Sequence, residues 1–344
     1  MTSDPPADPP GRRLRRGGIA AALTAAVAVA LTAGLVTARA AAAPELPPVT
    51  AEELVASVIG AEPVALAATV SVDNRLGLPA LPGAGSDLLA EGTSTARVWS
   101  DGAGGGRVAL PRPDSERTYV RGGGTTWVYD SADRVATRIP AHADRPERAG
   151  TDPQAAAREI VAALRDTSTV AVDGTTEIAG RPAYTLVLTP QPGERTVLRE
   201  VRAAVDAQTR TPLELTVLGA GTDPVLRIGV DEIGFGPQDP ALFTFTPPPG
   251  AQIEDAPPPA PAPAPPEGAA PAVVGDGWDT VVVWTGPLPE DASATIAGIG
   301  TPVSGPWGTG HQVTTNAGSA IVTDDGRFAA GAVGTDVLGA ALDR

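Results

Sequence analysis

Between residues 64 and 246 apolar and polar side chains alternate with period two, and that repetition is what most limits the chain's fold. Val201, Ala203 and Val205 fall on one side of a strand while Glu200, Arg202 and Asp206 fall on the other. Leu213, Leu215 and Val217 alternate with Glu214 and Thr216, and Tyr184, Leu186 and Leu188 with Thr185, Val187 and Thr189. The runs 64–75, 91–100, 106–110, 117–121, 125–130 and 134–139 behave alike, so the pattern predicts about eleven strands. Strands with one wet and one dry side belong to an antiparallel sheet curled over a core.

One helix precedes this pattern and another interrupts it. Thr50 followed by Glu53 is a capping box, and Leu54, Val55, Val58 and Ile59 follow at helical spacing. A second helix is expected from Asp152, with Pro153 at its first position and Ile160, Val161 and Leu164 as its apolar stripe. Two helices are too few for so wide a sheet. The expected fold is mainly β: an incomplete antiparallel barrel with a helical lid across its concave face.

The N-terminus reads as an export signal. Arg12, Arg13, Arg15 and Arg16 precede an apolar run over 19–36, and Ala38-Arg39-Ala40 forms an A-x-A exit. Cleavage after Ala40 fits this exit, while an uncleaved run of that length is also long enough for a signal anchor. Both outcomes put the remainder outside the cytoplasm, secreted or tethered in the cell envelope. The segment 255–271 has the composition of a stiff linker, with eight Pro among the fifteen residues of 257–271. The organisation expected is a signal over 1–43, a main domain over 44–254, that linker, and a small β-rich unit over 272–344. In the last unit Thr280–Trp284 reads as a strand, Asp325-Gly326 as a hairpin turn between two more, and 335–343 as a short helix.

Composition removes several functions. Without Cys, a disulfide scaffold, an iron–sulfur or thiolate zinc site and a lipid-anchored N-terminus are all excluded. The net charge is −15, and residues 44–344 carry 20 basic and 38 acidic residues, so phosphate backbones are repelled and nucleic acid is not an expected partner. His142 and His311 are the two histidines; both read as loop residues, and neither belongs to a metal or nucleophile motif. Glycine runs at 104–106 and 122–124 precede no helix and read as hairpin turns rather than phosphate cradles. Glu52 and Glu53 suit a helix N-terminus. No enzyme, cofactor or metal is expected.

Trp99, Tyr119, Trp127 and Tyr129 fall in the strands before the second helix, and Trp127 and Tyr129 share a face. They fit an ordinary core or the wall of a ligand cavity, since both need the same residue types.

The order of elements, with three phrases, resembles the LolA/RseB-type lipoprotein-carrier superfamily over about residues 44–251. The stretch Asp173–Pro190 resembles the paired strands that turn at Ala179-Gly180-Arg181 and run through Tyr184, Leu186 and Leu188. Ala204–Leu213 is similar to that family's hairpin with Asp206, Thr209, Pro212 and Leu213, and Phe245–Ala251 to its closing phrase. The Pro-rich linker and the C-terminal unit depart from the pattern. The resemblance implies a half-barrel whose apolar hollow accepts acyl chains, with Leu54 and Val58 in the lid and Trp99, Tyr119, Trp127 and Tyr129 near the hollow. It implies acyl lipid or lipoprotein cargo and a membrane transporter as partners. For the RseB-type branch it implies an anti-sigma factor instead, with a regulatory role. An enzyme acting on envelope glycans or lipids would need a catalytic constellation that the sequence does not display.

Overall fold

The computed structural model describes residues 44–77, 91–140, 152–256, 271–286 and 298–343. The expected export segment, most of the expected linker and His142 lie outside these residues.

Helix α1 (Ala51–Ile59) starts where the capping box places it: Glu53 N donates to Thr50 Oγ1 at 3.2 Å and Thr50 N to the Glu53 carboxylate at 2.8 Å. Strands β1 (Ala65–Asn74), β2 (Gly92–Asp101), β3 (Gly106–Pro111), β4 (Glu116–Gly122), β5 (Thr125–Asp130) and β6 (Val135–Pro140) follow as an antiparallel meander. Helix α2 (Pro153–Arg165) begins after Asp152, whose carboxylate accepts from Gln154 N at 3.0 Å. Then come β7 (Ser168–Ile178), β8 (Arg181–Pro190), β9 (Glu200–Asp206), β10 (Pro212–Leu218), β11 (Pro224–Phe235) and the short β12 (Gln252–Asp255).

These twelve strands form one sheet in the order β12-β6-β5-β4-β3-β2-β1-β11-β10-β9-β8-β7. β12 and β7 are its two edges and do not pair, so the barrel is open. Every pairing is antiparallel except β12 on β6, which is parallel. Its two halves join between β1 and β11, far apart in sequence, whose register slips at Thr69/Val70. Such a bulge adds local bend to a strand pair.

The hairpin phrase at 204–213 has a physical role. Asp206 is fully buried, and its carboxylate accepts from Arg181 Nε at 2.7 Å, Gln208 N at 2.9 Å and Thr209 N at 2.6 Å. Arg181 in turn lies 4.8 Å over the Phe235 ring. One carboxylate thus ties β8 to the β9–β10 turn. Burial alone would push the Asp206 carboxyl up, but the Arg181 guanidinium and the turn's donors outweigh it and hold it at about 2.

A second sheet has six strands: β13 (Pro271–Val274), β14 (Val281–Trp284), β15 (Thr301–Gly305), β16 (Gly308–Thr314), β17 (Ser319–Thr323) and β18 (Phe328–Gly331). Its order is β13-β14-β18-β17-β16-β15, and α3 (Thr335–Leu342) packs on one face. His311, expected in a loop, is instead in the middle of β16. The two sheets touch through named bonds. Trp278 Nε1 donates to the buried Ser168 Oγ at 2.7 Å, Val197 N to Ala332 O at 2.9 Å, and Asn316 N to Leu76 O at 2.8 Å.

Candidate functional site

Cross-strand partners lie on the same side of a sheet, so the register alone sorts the large sheet into two faces. Leu186 is opposite Ala203, Ala203 opposite Leu215, Leu215 opposite Ile228, and Ile228 opposite Val72. Along β1, Val72, Val70, Ala68 and Leu66 alternate onto that side. From Ala68 it continues through Val98, Val108, Tyr119 and Val128. One apolar face therefore runs from β8 to β5.

Helices α1 and α2 cover only one end of this face. Leu54 is 1% exposed and packs with Tyr184 and Val205, joined by Val58, Val172 and Leu186. Ala51 and Val161 pack with Val170, Leu164 and Leu188. Arg165 also donates to the Glu52 carboxylate, fastening one helix to the other. Beyond β9 the same face is buried at Val72, Ala96 and Leu110 but elsewhere only partly covered. Leu66, Val70, Val98, Val108, Tyr119, Val128, Val217 and Ile228 are all only partly buried, and Leu215 is 38% exposed. Near its far edge, Asp130 is buried between Arg112 and Arg117, with oxygen-to-nitrogen distances of 3.1 and 2.8 Å.

The opposite face carries the remaining aromatics. Ala67 is opposite Trp99, Trp99 opposite Arg107, Arg107 opposite Val120, and Val120 opposite Trp127. Tyr129 joins them on that side, two residues along β5. A strap formed by residues 236–256 crosses this face to reach the β6 edge. Its 3-10 turn, Pro240–Phe243, contacts β2, β3 and β4. Phe245 lies 5.5 Å from the Trp127 ring and 5.8 Å from Tyr129. β12 ends the strap, held by β6 and by Arg138 Nε donating to Asp255 Oδ1 at 2.7 Å.

The six residues singled out in the sequence are therefore not gathered in one place. Leu54 and Val58 lie at the helix-covered end, and Tyr119 lies further along the same apolar face. Trp99, Trp127 and Tyr129 project from the other side. Trp127 and Tyr129 do share a face, as their spacing requires, but it is the face that Phe245 covers. The residues the sequence reading passed over are the valines and leucines of the half-exposed face; their alternation was the available signal.

Other ionisable side chains have structural partners. Asp231 lies beside the β1–β11 bulge and accepts from Ser71 Oγ at 2.9 Å. His311 Nδ1 is 3.9 Å from Asp324 Oδ1. Asp325 is held at about 2 by hydrogen bonds from the Arg327 side chain and the Thr323 hydroxyl. Among the described residues no group of three metal-ligating side chains occurs.

No protein-family model matches the chain, and no curated protein matches it in sequence. Solved structures similar to it include MucB in complex with MucA(peri), at 16% identity over 84% of this chain and 95% of that one, with a TM-score of 0.47. The MucA/MucB complex of Pseudomonas aeruginosa is similar at 15% identity over 84% and 94%, with a TM-score of 0.44. A LolA-superfamily protein from Nitrosomonas europaea is similar at 14% identity over 58% and 99%, with a TM-score of 0.25. With every one of these TM-scores below 0.5, the likeness decides nothing about chemistry.

Proposed function

We propose that this protein is an extracytoplasmic binding protein of the cell envelope that takes up acyl chains of a lipid or lipoprotein on the apolar face of its large sheet, without catalysis. The observation that carries the reading is the half-exposed apolar row from Leu66 and Val70 to Tyr119 and Val128, which neither α1 nor α2 covers. Leaving such a row in water is costly, and a saturated chain laid on it regains about 0.8 kcal/mol for each methylene buried. For a sixteen-carbon chain this comes to roughly 10 kcal/mol before ordering costs, enough for a carrier with no other specific contact. The basic head and apolar run of residues 12–36 support export. In this reading residues 44–254 are the binding domain, 272–344 an accessory unit, and Leu54 and Val58 the movable end of the cover.

A fluorescent fatty acid added to delipidated protein tests it. Binding at micromolar probe is expected, and Val70→Asp or Val128→Asp should weaken it by about tenfold or more, because the new carboxylate must be desolvated. Thr95→Asp, an exposed change on the opposite face, should leave binding unchanged. If the wild-type protein binds no acyl probe, the carrier reading fails. A protein partner such as an anti-sigma factor, in the manner of MucB with MucA, then takes its place.

A further inference from the structure

Two hairpin turns on the strap side of the large sheet enclose a cleft that the acyl reading does not use. The β2–β3 turn and the β4–β5 turn stand beside Phe243 of the strap, and the hollow between them has a volume of about 390 Å³. A second hollow of about 190 Å³ adjoins it, sharing Gly122, Gly123, Thr125 and Phe243 and reaching Trp127 and Phe245. Two glycines let the walls of the cleft approach closely. A Cβ on Gly105 would stand 2.3 Å from Asp101 Oδ2, and one on Gly122 would stand 2.1 Å from the Phe243 carbonyl oxygen. A side chain at Gly105 would displace the Asp101 carboxylate, and one at Gly122 would displace the strap.

The polar groups of the cleft are arranged unusually for two opposite charges. Asp101 Oδ1 accepts from Ala103 N at 2.7 Å and Gly105 N at 2.8 Å, which fixes the carboxylate in place. Its other oxygen accepts no hydrogen bond from the described residues. Arg121 lines the same cleft and makes no ion pair or hydrogen bond with any described residue, Asp101 included. A fixed acceptor and a charged donor thus face one hollow without meeting each other, beside the rings of Phe243, Trp127 and Phe245.

We propose that this cleft is a binding site for a neutral saccharide, such as a disaccharide unit of an envelope glycan. A sugar hydroxyl both donates and accepts, so one ring can donate to Asp101 and accept from Arg121, and hydrogen bonds to charged partners are the strong ones. The apolar C–H face of the ring then lies against the aromatic side chains. A polyanion is disfavoured by Asp101 and by the chain's net charge of −15. An acyl chain would strand both charged groups without partners.

The site is independent of the apolar face, and the test keeps them apart. The whole protein is titrated with chitobiose and with maltose, following heat and tryptophan emission. At least one disaccharide is expected to bind with a Kd of about 1 mM or tighter. Asp101→Asn keeps one oxygen for the turn's donors, and Arg121→Gln removes only the charged fork; each should weaken binding by about tenfold. Both variants should melt with the parent, and Val70→Asp should leave the saccharide titration unchanged. The proposal is overturned if neither sugar binds at about 20 mM, or if both variants bind as the parent does. Preference for a zwitterion such as glycylglycine over both sugars also overturns it.

Discussion

The two sheets of this protein obey the same alternation but are finished differently. In the C-terminal sheet, α3 lays Val337, Leu338, Ala341 and Leu342 onto Val281, Val283, Ile321, Ala329 and Val333, with Trp307 completing a single buried cluster. In the large sheet the buried clusters are small and gathered around α1, α2 and β7–β10. Geometry explains the contrast. A helix with its side chains is about 10 Å across and strands are spaced about 4.8 Å apart, so one helix covers roughly two strands. One helix suffices for the middle of six short strands. Two adjacent helices leave most of a twelve-stranded face without a helical cover. Coverage, rather than apolar content, separates a closed core from an open apolar face.

The most severe way to break this comparison is to hollow out the closed side. Ile321→Ala or Leu338→Ala, both at 0% exposure, should cost about 2–5 kcal/mol in urea unfolding, since each leaves a cavity in a packed cluster. A cost well under 1 kcal/mol would mean the C-terminal core is looser than its burial indicates.

Acid should weaken the covered end of the large sheet next. Asp206 is held at about 2, below the roughly 3.9 of an unfolded aspartate, so its contribution is complete above about pH 4 and lost as pH falls toward 2. The loss should be roughly 2 kcal/mol, and Asp206→Asn should remove that part of the pH dependence. An unchanged acid limb in the variant would assign the loss to other carboxylates.

A smaller effect is expected at the first helix. Thr50→Ala removes the Thr50 side chain from the capping box of α1 and should cost about 1 kcal/mol. Amide exchange should speed up in α1 before it does in α3.

The smallest effect is the most informative about the open face. Val108→Ala removes two methyl groups from a half-exposed side chain and should cost below about 1 kcal/mol. If it costs as much as Ile321→Ala, the face is covered in solution and the contrast between the sheets disappears.

Much of the fold was legible because it is local. The capping box at Thr50, Pro153 at the start of α2, the strands from β1 to β11 and the Asp325-Gly326 hairpin each depend on residues within a few positions of one another. β15 and β16 were missed because Gly305, Gly308 and Gly310 interrupt any alternation. β12 escaped because all four of its residues are exposed and a strand with no dry side has no apolar signature. The site was legible only in part. Spacing puts Trp127 and Tyr129 on one side of β5, and nothing local says which side of the sheet that is.

The sequence by itself determined the periodic elements, the helix starts, the acidic surface and the absence of thiol chemistry, since each is a property of neighbouring residues or of composition. Tertiary structure alone decided that Tyr119 shares the helix-bearing face while Trp127 lies under Phe245, and that Asp101 and Arg121 face one cleft. Those relations pass through the registers of successive strand pairs. A one-residue slip in any pair would reverse the face, and that register is set only when the strands meet.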